Sequence, residues 1–315
     1  MAEEEARQKA VNEVRKDILG RMVVISATRS SRPHDAPKPR VEKTTPPEKC
    51  YFCPGNEHLT PPEIDRIEKE GKWEVRCFPN KFPAFSKESR KAYGTHDVVV
   101  ETPEHLRTLS ELAVENLADY LAMLQRRMDA AYKDPRINYV SVFKNEGQAA
   151  GASLEHSHTQ IVAMDFVPKA VLRMAKKAEA FRKMPARQQK QVIFENGSFA
   201  ALCPKASRFP NEIWIIPKEK RSSLIGMPPA EIAALAEALK RPLSALDSLT
   251  GYRAYNIIFH SAPRGEGDFP FHVEILPRVA MWAGFELGTE IVMISSIPNE
   301  SAKQLREIIQ KMPSL

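Results

Sequence analysis

Gly151-Ala152-Ser153-Leu154-Glu155-His156-Ser157-His158-Thr159-Gln160 runs directly into the apolar residues Ile161-Val162-Ala163. A strand alternates its side chains with a period of two, so His156, His158 and Gln160 are expected on one face. The preceding run Asn138-Tyr139-Val140-Ser141-Val142-Phe143 also has strand composition. Residues 144–153 between the two runs are rich in Gly, Ala and Ser, a loop whose backbone N–H groups can approach a phosphate closely. A neutral imidazole is a competent nucleophile towards phosphorus and a good leaving group afterwards. A neighbouring amide can donate to the phosphoryl oxygens as charge builds there. An isolated His-x-His reads equally well as two surface histidines. The adjoining loop, and a matching set of metal-ligand residues elsewhere, turn the reading towards chemistry.

The rest of the composition narrows the class. A chain of 315 residues suggests two domains, and 43% hydrophobic with 27% charged residues is ordinary for a globular protein. No apolar run approaches the roughly 18 residues of a membrane span. The opening Met1-Ala2-Glu3-Glu4-Glu5 is acidic and has no apolar core, unlike a secretory signal, so a cytoplasmic protein is expected. The net charge of +6 is mild. No dense Lys/Arg block with interleaved aromatics occurs, so a small anionic substrate is expected rather than nucleic acid or a membrane.

Periodicity outlines the elements. Residues 1–18 suggest a charged helix and 21–26 a strand, followed by a basic loop carrying Arg29 and Arg32. Those two arginines read as solvent-exposed or as phosphate or base contacts. A helix is expected from a Thr108 cap to Tyr132, with Leu112, Leu117, Leu121 and Leu124 on its apolar face. Residues 168–190 suggest a charged helical bridge with a solvated face. Beyond it the order of elements repeats. His272 lies 114 positions after His158, while Ile213 follows Val98 and His260 follows Asn145 by 115. A near-constant offset with one element order means duplicated halves. The expected fold is therefore α+β, with domains at 1–167 and 168–315, each an antiparallel sheet with a flanking helix. The halves are expected to be joined by cross-domain strand packing. In the second copy the trio becomes Pro270-x-His272-x-Glu274, so one active strand per chain is the simplest reading.

Four cysteines, Cys50, Cys53, Cys77 and Cys203, do not make a disulfide framework. Cys50-x-x-Cys53 is metal-binding or redox-active, and Pro46-Pro47 before it with Pro54-Gly55 after it make a turn rather than a helix start, which favours metal. A tetrahedral structural zinc needs two further ligands. His105 and His156 supply them if the sheet brings their strand ends together, with His58 and His96 as alternatives. Cys77 and Cys203 sit on apolar strands and read as buried small hydrophobes.

The motifs combined are specific. Cys-x-x-Cys-Pro-Gly-Asn-Glu (50–57), Thr-Pro-Pro-Glu (60–63), Pro-Glu-His-x-x-Thr-Leu-x-Glu-Leu (103–112), Phe-Lys-Asn-Glu-Gly through Gly-Ala-Ser-Leu-Glu-His-Ser-His-Thr-Gln (143–160), and His-Val-Glu-Ile-Leu-Pro-Arg with Ala-Gly-Phe-Glu-Leu-Gly-Thr (272–289) resemble the galactose-1-phosphate uridylyltransferase family. This is a branch of the histidine triad superfamily with Gln in place of the last His, and the resemblance covers about residues 21–300. It implies two tandem histidine-triad-like domains and a ping-pong exchange of UMP between UDP-glucose and galactose 1-phosphate. His158 would carry the uridylyl group and Gln160 would bond the phosphoryl oxygens. The resemblance also implies Asn145, Gly151 and Ser153 near the phosphates, Arg29, Arg32 and Asn80 at the nucleotide end, and Glu286 near the sugar. It implies zinc on Cys50, Cys53, His105 and His156, and a homodimer.

The sequence departs from the family pattern in places. Pro270 stands where the family has the first His of His-Trp-His, and Met174 where an acidic ligand is usual, so only His260 and His272 remain of a second metal site. Glu155 and Ser157 replace common prolines, and Glu155 is expected to point away from the phosphates. Thr289–Ile294 is less polar than the family's sugar-binding tail. That departure leaves an adenylyl-transferring ADP-sugar phosphorylase, with inorganic phosphate as acceptor, as the second reading. A nucleotide-binding, zinc-stabilised protein without turnover is the third.

Overall fold

The computed structural model describes residues 12–26, 44–251, 253–279 and 281–313. The first described elements form a hairpin, β1 (Glu13–Lys16) and β2 (Met22–Ile25). The expected N-terminal helix is thus a strand over its described part. The cause is local: Asp17 Oδ1 accepts the N–H groups of Leu19 and Arg21, and Gly20 adopts φ +81°, which together make a turn. Residues 1–11 and the basic loop with Arg29 and Arg32 lie outside the described residues.

The first half then forms β3 (Asp65–Lys69), β4 (Lys72–Pro79), β5 (Gly94–Val100), helix α1 (Val114–Tyr132), β6 (Tyr139–Glu146) and β7 (His158–Met164). α1 starts five residues later than the Thr108 cap predicts, with Ala113 at the N-cap. Thr108 instead closes a turn, donating its N–H to Glu111 Oε2 and accepting Glu111 N–H at its carbonyl. Leu117, Tyr120, Leu121, Leu124 and Met128 are the buried stripe of α1, at the three- and four-residue spacing of one helix face.

The expected bridge is three short helices: α2 (Lys169–Ala175), α3 (Ala178–Arg182) and α4 (Met184–Arg187). Its charges face solvent, but Val171, Met174, Phe181 and Met184 are buried, and Phe181 stacks on Trp214 at 5.5 Å.

The second half repeats the first with β8 (Val192–Glu195), β9 (Phe199–Leu202), β10 (Ile213–Pro217), helix α5 (Pro229–Thr250), β11 (Tyr255–His260) and β12 (His272–Pro277). Helix α6 (Gly284–Thr289), strand β13 (Val292–Ile294) and helix α7 (Pro298–Lys311) follow. β13 returns to pair parallel with β2.

Ten strands make one antiparallel sheet in the order β3-β4-β5-β7-β6-β11-β12-β10-β9-β8. Read outward from the β6–β11 junction, the two sides have the same element order, so duplication is visible as a local two-fold relation. The halves are continuous through that junction, where Tyr255 faces Glu146 and Phe259 faces Val142.

Alternation along the strands divides the sheet. Thr159, Ile161 and Ala163 point to the side covered by α1 and α5, where Val140, Val142, Ile257, Phe259, Val273 and Ile275 join one core. Cys77 and Cys203 are fully buried in it, as small hydrophobes. His158, Gln160, Asn145 and Asn256 point to the other side. At β5 the strands approach so closely that a Cβ on Gly94 would lie 1.8 Å from the Ala163 carbonyl oxygen, so only glycine fits.

Candidate active site

His158 opens β7 and is 7% exposed. Its Nδ1 lies 2.8 Å from the His156 carbonyl oxygen. A carbonyl only accepts, so Nδ1 carries the proton and Nε2 keeps its lone pair. Burial lowers the affinity of the ring for a second proton, and the buried ammonium of Lys144 lowers it further. The ring is held neutral, with one defined nucleophilic nitrogen. The Phe52 ring, from the Cys50–Cys53 turn, packs on it edge-on at 5.4 Å between centroids.

Gln160 is on the same face, one pleat repeat or roughly 7 Å along the strand. Lys144 pairs with Thr159, and by continuation of that register Asn145 comes opposite His158; Asn145 in turn pairs with Asn256 of the second half. The Asn256 amide Nδ2 donates to Asn145 Oδ1 at 2.8 Å and to the Ala150 carbonyl at 2.9 Å. The second half thereby holds both Asn145 and the small-residue loop. Gly147 must be glycine, since φ is +75° and a Cβ would sit 2.7 Å from the Arg253 carbonyl oxygen. Gly151 is also left-handed, and Ser153 is exposed on the same loop. Glu155 accepts the Thr45 N–H at 2.8 Å and so is engaged with the N-terminal segment.

Four donors converge beside His158: Cys50, Cys53, His105 and His156 have ligand atoms within 4.8 Å of one another. Cys53 Sγ is 3.2 Å from His105 Nδ1, and Cys50 Sγ is 3.5 Å from His156 Nδ1. A tetrahedral ion with usual Zn–S and Zn–N lengths has S···N edges of roughly 3.6 Å. The tautomers also fit a cation. His156 Nε2 faces the Thr102 carbonyl at 2.8 Å and His105 Nε2 faces that of Thr45 at 2.8 Å, so both Nε2 atoms donate and both Nδ1 lone pairs face the sulfurs. Burial and the adjacent Cys50 sulfur push the Cys53 thiol up to about 12, a penalty that a bound cation removes. The residues present therefore suit a metal. His96 and His58 are not in the group; His96 is at the far end of β5.

A second group forms in the other half. His260, His272 and Glu274 bring ligand atoms within 4.8 Å of one another. His272 Nδ1 faces the Pro270 carbonyl at 2.7 Å, repeating the His158 arrangement and leaving Nε2 as an acceptor. His272 Nε2, Glu274 Oε1 and both His260 nitrogens are buried without a hydrogen-bond partner, although Glu274 approaches both rings as an ion-pair partner, with His260 Nε2 to Oε2 at 3.4 Å and His272 Nε2 to Oε1 at 3.8 Å. Burial disfavours charge on Glu274, but Arg208, at 2.7 Å, and the histidines outweigh it and hold its carboxyl well below the ordinary range. Two histidines were expected to remain here; the counterpart of Gln160 adds a third donor.

The chain matches the family model for the galactose-1-phosphate uridyl transferase N-terminal domain over residues 1–168, and a model for a domain of unknown function over 89–314. It is 31% identical to an ADP-glucose phosphorylase of Arabidopsis thaliana, over 94% of this chain and 93% of that one. The chain belongs to the galactose-1-phosphate uridylyltransferase family. A uridylyltransferase of Thermotoga maritima bearing that name is 29% identical over 90% of this chain and 94% of its own. Among solved structures, the Arabidopsis ADP-glucose phosphorylase with bound ADP-glucose aligns with TM-score 0.84 at 29% identity, covering 95% of this chain and 99% of that one. A uridylyltransferase structure aligns with TM-score 0.74 at 26% identity, covering 96% and 100%. The chain is a nucleotidylyltransferase of this family, and no helix among its described residues is long and apolar enough to cross a membrane.

Asn80 and Glu286, which the family pattern puts at the nucleotide end and near the sugar, make local contacts. Asn80 Nδ2 lies 3.3 Å from Nε2 of His96, which contacts Gln160, and Glu286 caps α6 by accepting the Ala283 N–H at 2.9 Å. Sequence reasoning overlooked the groups beneath His158. Lys144 is fully buried on the helix side of β6, 2.9 Å from Glu101, 2.9 Å from Glu146 and 2.7 Å from Ser157 Oγ. Glu101 also accepts from the Ser157 and Thr159 hydroxyls. A lone Lys in Tyr139–Glu146 looks like a solvent-facing strand residue; only its parity with Val140 and Val142 marks it as inward.

Proposed function

We propose that the protein transfers a nucleoside monophosphate from a nucleoside diphosphate hexose to a phosphate-bearing acceptor, through a covalent adduct on Nε2 of His158. The observation that carries this reading is the 2.8 Å contact from His158 Nδ1 to a backbone carbonyl, which leaves Nε2 as an unprotonated nucleophile beside an amide and a small-residue loop. In the first step Nε2 attacks the α-phosphorus, the bond from that phosphorus to the bridging oxygen breaks, and hexose 1-phosphate leaves with the bond's electrons. In the second step an acceptor phosphate oxygen attacks the same phosphorus and Nε2 leaves. Gln160 bonds the phosphoryl oxygens in both steps and, as an amide, exchanges no proton; phosphates are good leaving groups and need none.

Two donor–acceptor pairs suit this intermediate. Many relatives support UDP-glucose with galactose 1-phosphate. The higher identity and TM-score of the ADP-glucose phosphorylase, with the apolar Val292–Ile294 tail, favour ADP-glucose with inorganic phosphate. Intact-protein mass after exposure to each sugar nucleotide decides: a gain of UMP discharged by galactose 1-phosphate supports the first, and a gain of AMP discharged by phosphate supports the second. No gain with either sinks the reading. We further propose zinc as the ion of Cys50, Cys53, His105 and His156, with a structural role that ties the Phe52 turn to the nucleophile strand. His260, His272 and Glu274 are proposed to hold a second divalent ion, which Glu274→Gln should remove in metal analysis. The family likeness supports a homodimer, checked by sedimentation.

A further inference from the structure

His96 is a residue whose only expected alternative use was as a zinc ligand, and the structure puts it elsewhere. It lies on the open face of β5, next to Val98, which pairs with Gln160. Its Nδ1 receives the backbone N–H of Ala84 at 3.2 Å, so Nδ1 is an acceptor. A neutral imidazole then carries its hydrogen on Nε2. That Nε2 is 2.8 Å from Gln160 Oε1. The hydrogen bond therefore runs from the His96 ring to the Gln160 carbonyl end, and Gln160 turns its NH2 group away from β5. Asn80 Nδ2 is 3.3 Å from the same Nε2, but its own Oδ1 accepts the Phe82 N–H at 2.9 Å. One neutral ring cannot accept at both nitrogens, so Asn80 flanks the ring rather than donating to it.

The point matters because an amide is two-ended. With its NH2 outward, Gln160 stabilises charge on phosphoryl oxygens; with its carbonyl outward it repels them. A free glutamine flips between these at little cost. Asn145 meets the same need from the other side, since Asn256 occupies its Oδ1 and leaves its Nδ2 towards the loop, 3.9 Å from where a Gly151 Cβ would stand.

We propose that His96 is a positioning residue that fixes the polarity of the Gln160 amide, so that Gln160 presents only hydrogen-bond donors to the phosphoryl group carried by His158. This rests on the nucleotidyl-transfer reading above. The test is the single-turnover rate of adduct formation in His96→Leu and His96→Gln, with the better sugar nucleotide. Leu removes the donor; Gln restores an NH2 group near the Nε2 position. The Leu variant should be slower by about 10- to 100-fold, with half-saturation changed less than about twofold, and Gln should recover to within about threefold of wild type. A Leu variant that labels at the wild-type rate overturns the proposal. So does equal slowing of both variants, which would mean that the ring only packs. The ring nitrogens of the wild-type protein give a second readout that needs no turnover and no variant. Nitrogen-15 spectra of His96 should give the Nε2–H tautomer, and an Nδ1–H tautomer overturns the proposal. A wild-type enzyme that takes no adduct from either sugar nucleotide overturns the nucleotidyl-transfer reading instead, and the tautomer still decides the hydrogen bond.

Discussion

The proposed role of His158 depends on one backbone carbonyl, which makes a choice between the two ring nitrogens. Replacing the ring removes the attacking atom but leaves the four soft donors beside it untouched. His158→Gly should therefore give no covalent adduct, seen by intact mass, while its metal content stays at the wild-type level; an adduct of normal yield would place the nucleophile elsewhere. The neighbouring set behaves oppositely. With the proposed zinc on these residues, Cys50→Ser exchanges a thiolate ligand for a hydroxyl, a poor exchange for a soft ion, and the Phe52 turn loses its anchor. Metal content should fall, with roughly 3 kcal/mol or more of stability, and residual metal-free protein should still label slowly. Metal content unchanged in Cys50→Ser would show the wrong ligand set. The pair Cys50-x-x-Cys53 was readable from its flanking prolines, and His105 and His156 were readable as partners only if two strand ends met. The contact of His96 with Gln160 was not readable, because it depends on the β5–β7 register and on which nitrogen Ala84 reaches.

At the scale of the element, β7 is a strand held from beneath by charge. Thr159 faces the helices and Glu101, and Lys144 on β6 reaches Ser157 and, at 3.4 Å, the His158 carbonyl. One ammonium serves two buried carboxylates. Desolvation works against its charge, yet Glu101 and Glu146 outweigh that and raise its proton affinity, while burial raises that of Glu146. Removing the ammonium strands Glu101, whose side chain is fully buried. Lys144→Met should cost roughly 3–5 kcal/mol by urea unfolding, and adding Glu101→Gln should recover part of it. A loss below about 1 kcal/mol would mean that the cluster rearranges or takes up water. Such a device hides from pattern reading. Alternation put His156, His158 and Gln160 on one face, but hydropathy assigns Lys144 to solvent. The helix expectations failed for a related reason: Asp17 with Gly20, and Thr108 with Glu111, form turns whose hydrogen bonds outcompete helix at those positions.

For the whole molecule, the offset of 114–115 residues was legible because the second copy keeps its element order, and even the His272 Nδ1 contact repeats that of His158. The expected strand packing between the halves is the pairing of β6 with β11, edge to edge, and α1 and α5 lie over one core spanning both halves. The reason is physical: each five-stranded half leaves one unpaired inner edge, and joining those edges satisfies both sets of backbone groups at once. Asn256 then reaches across the seam to Asn145, so the second half shapes the His158 site of the first. Halves that share a seam and a core should not unfold separately. Trp73, 6% exposed, reports the first half and Trp214, 1% exposed, the second. In metal-loaded protein carrying either Trp73→Phe or Trp214→Phe, with Trp282→Phe in both, each remaining fluorescence should disappear at the urea midpoint seen by circular dichroism of that same variant. Within one variant, two midpoints separated by more than about 0.5 M would mean that the halves are independent units and that the seam is only a contact.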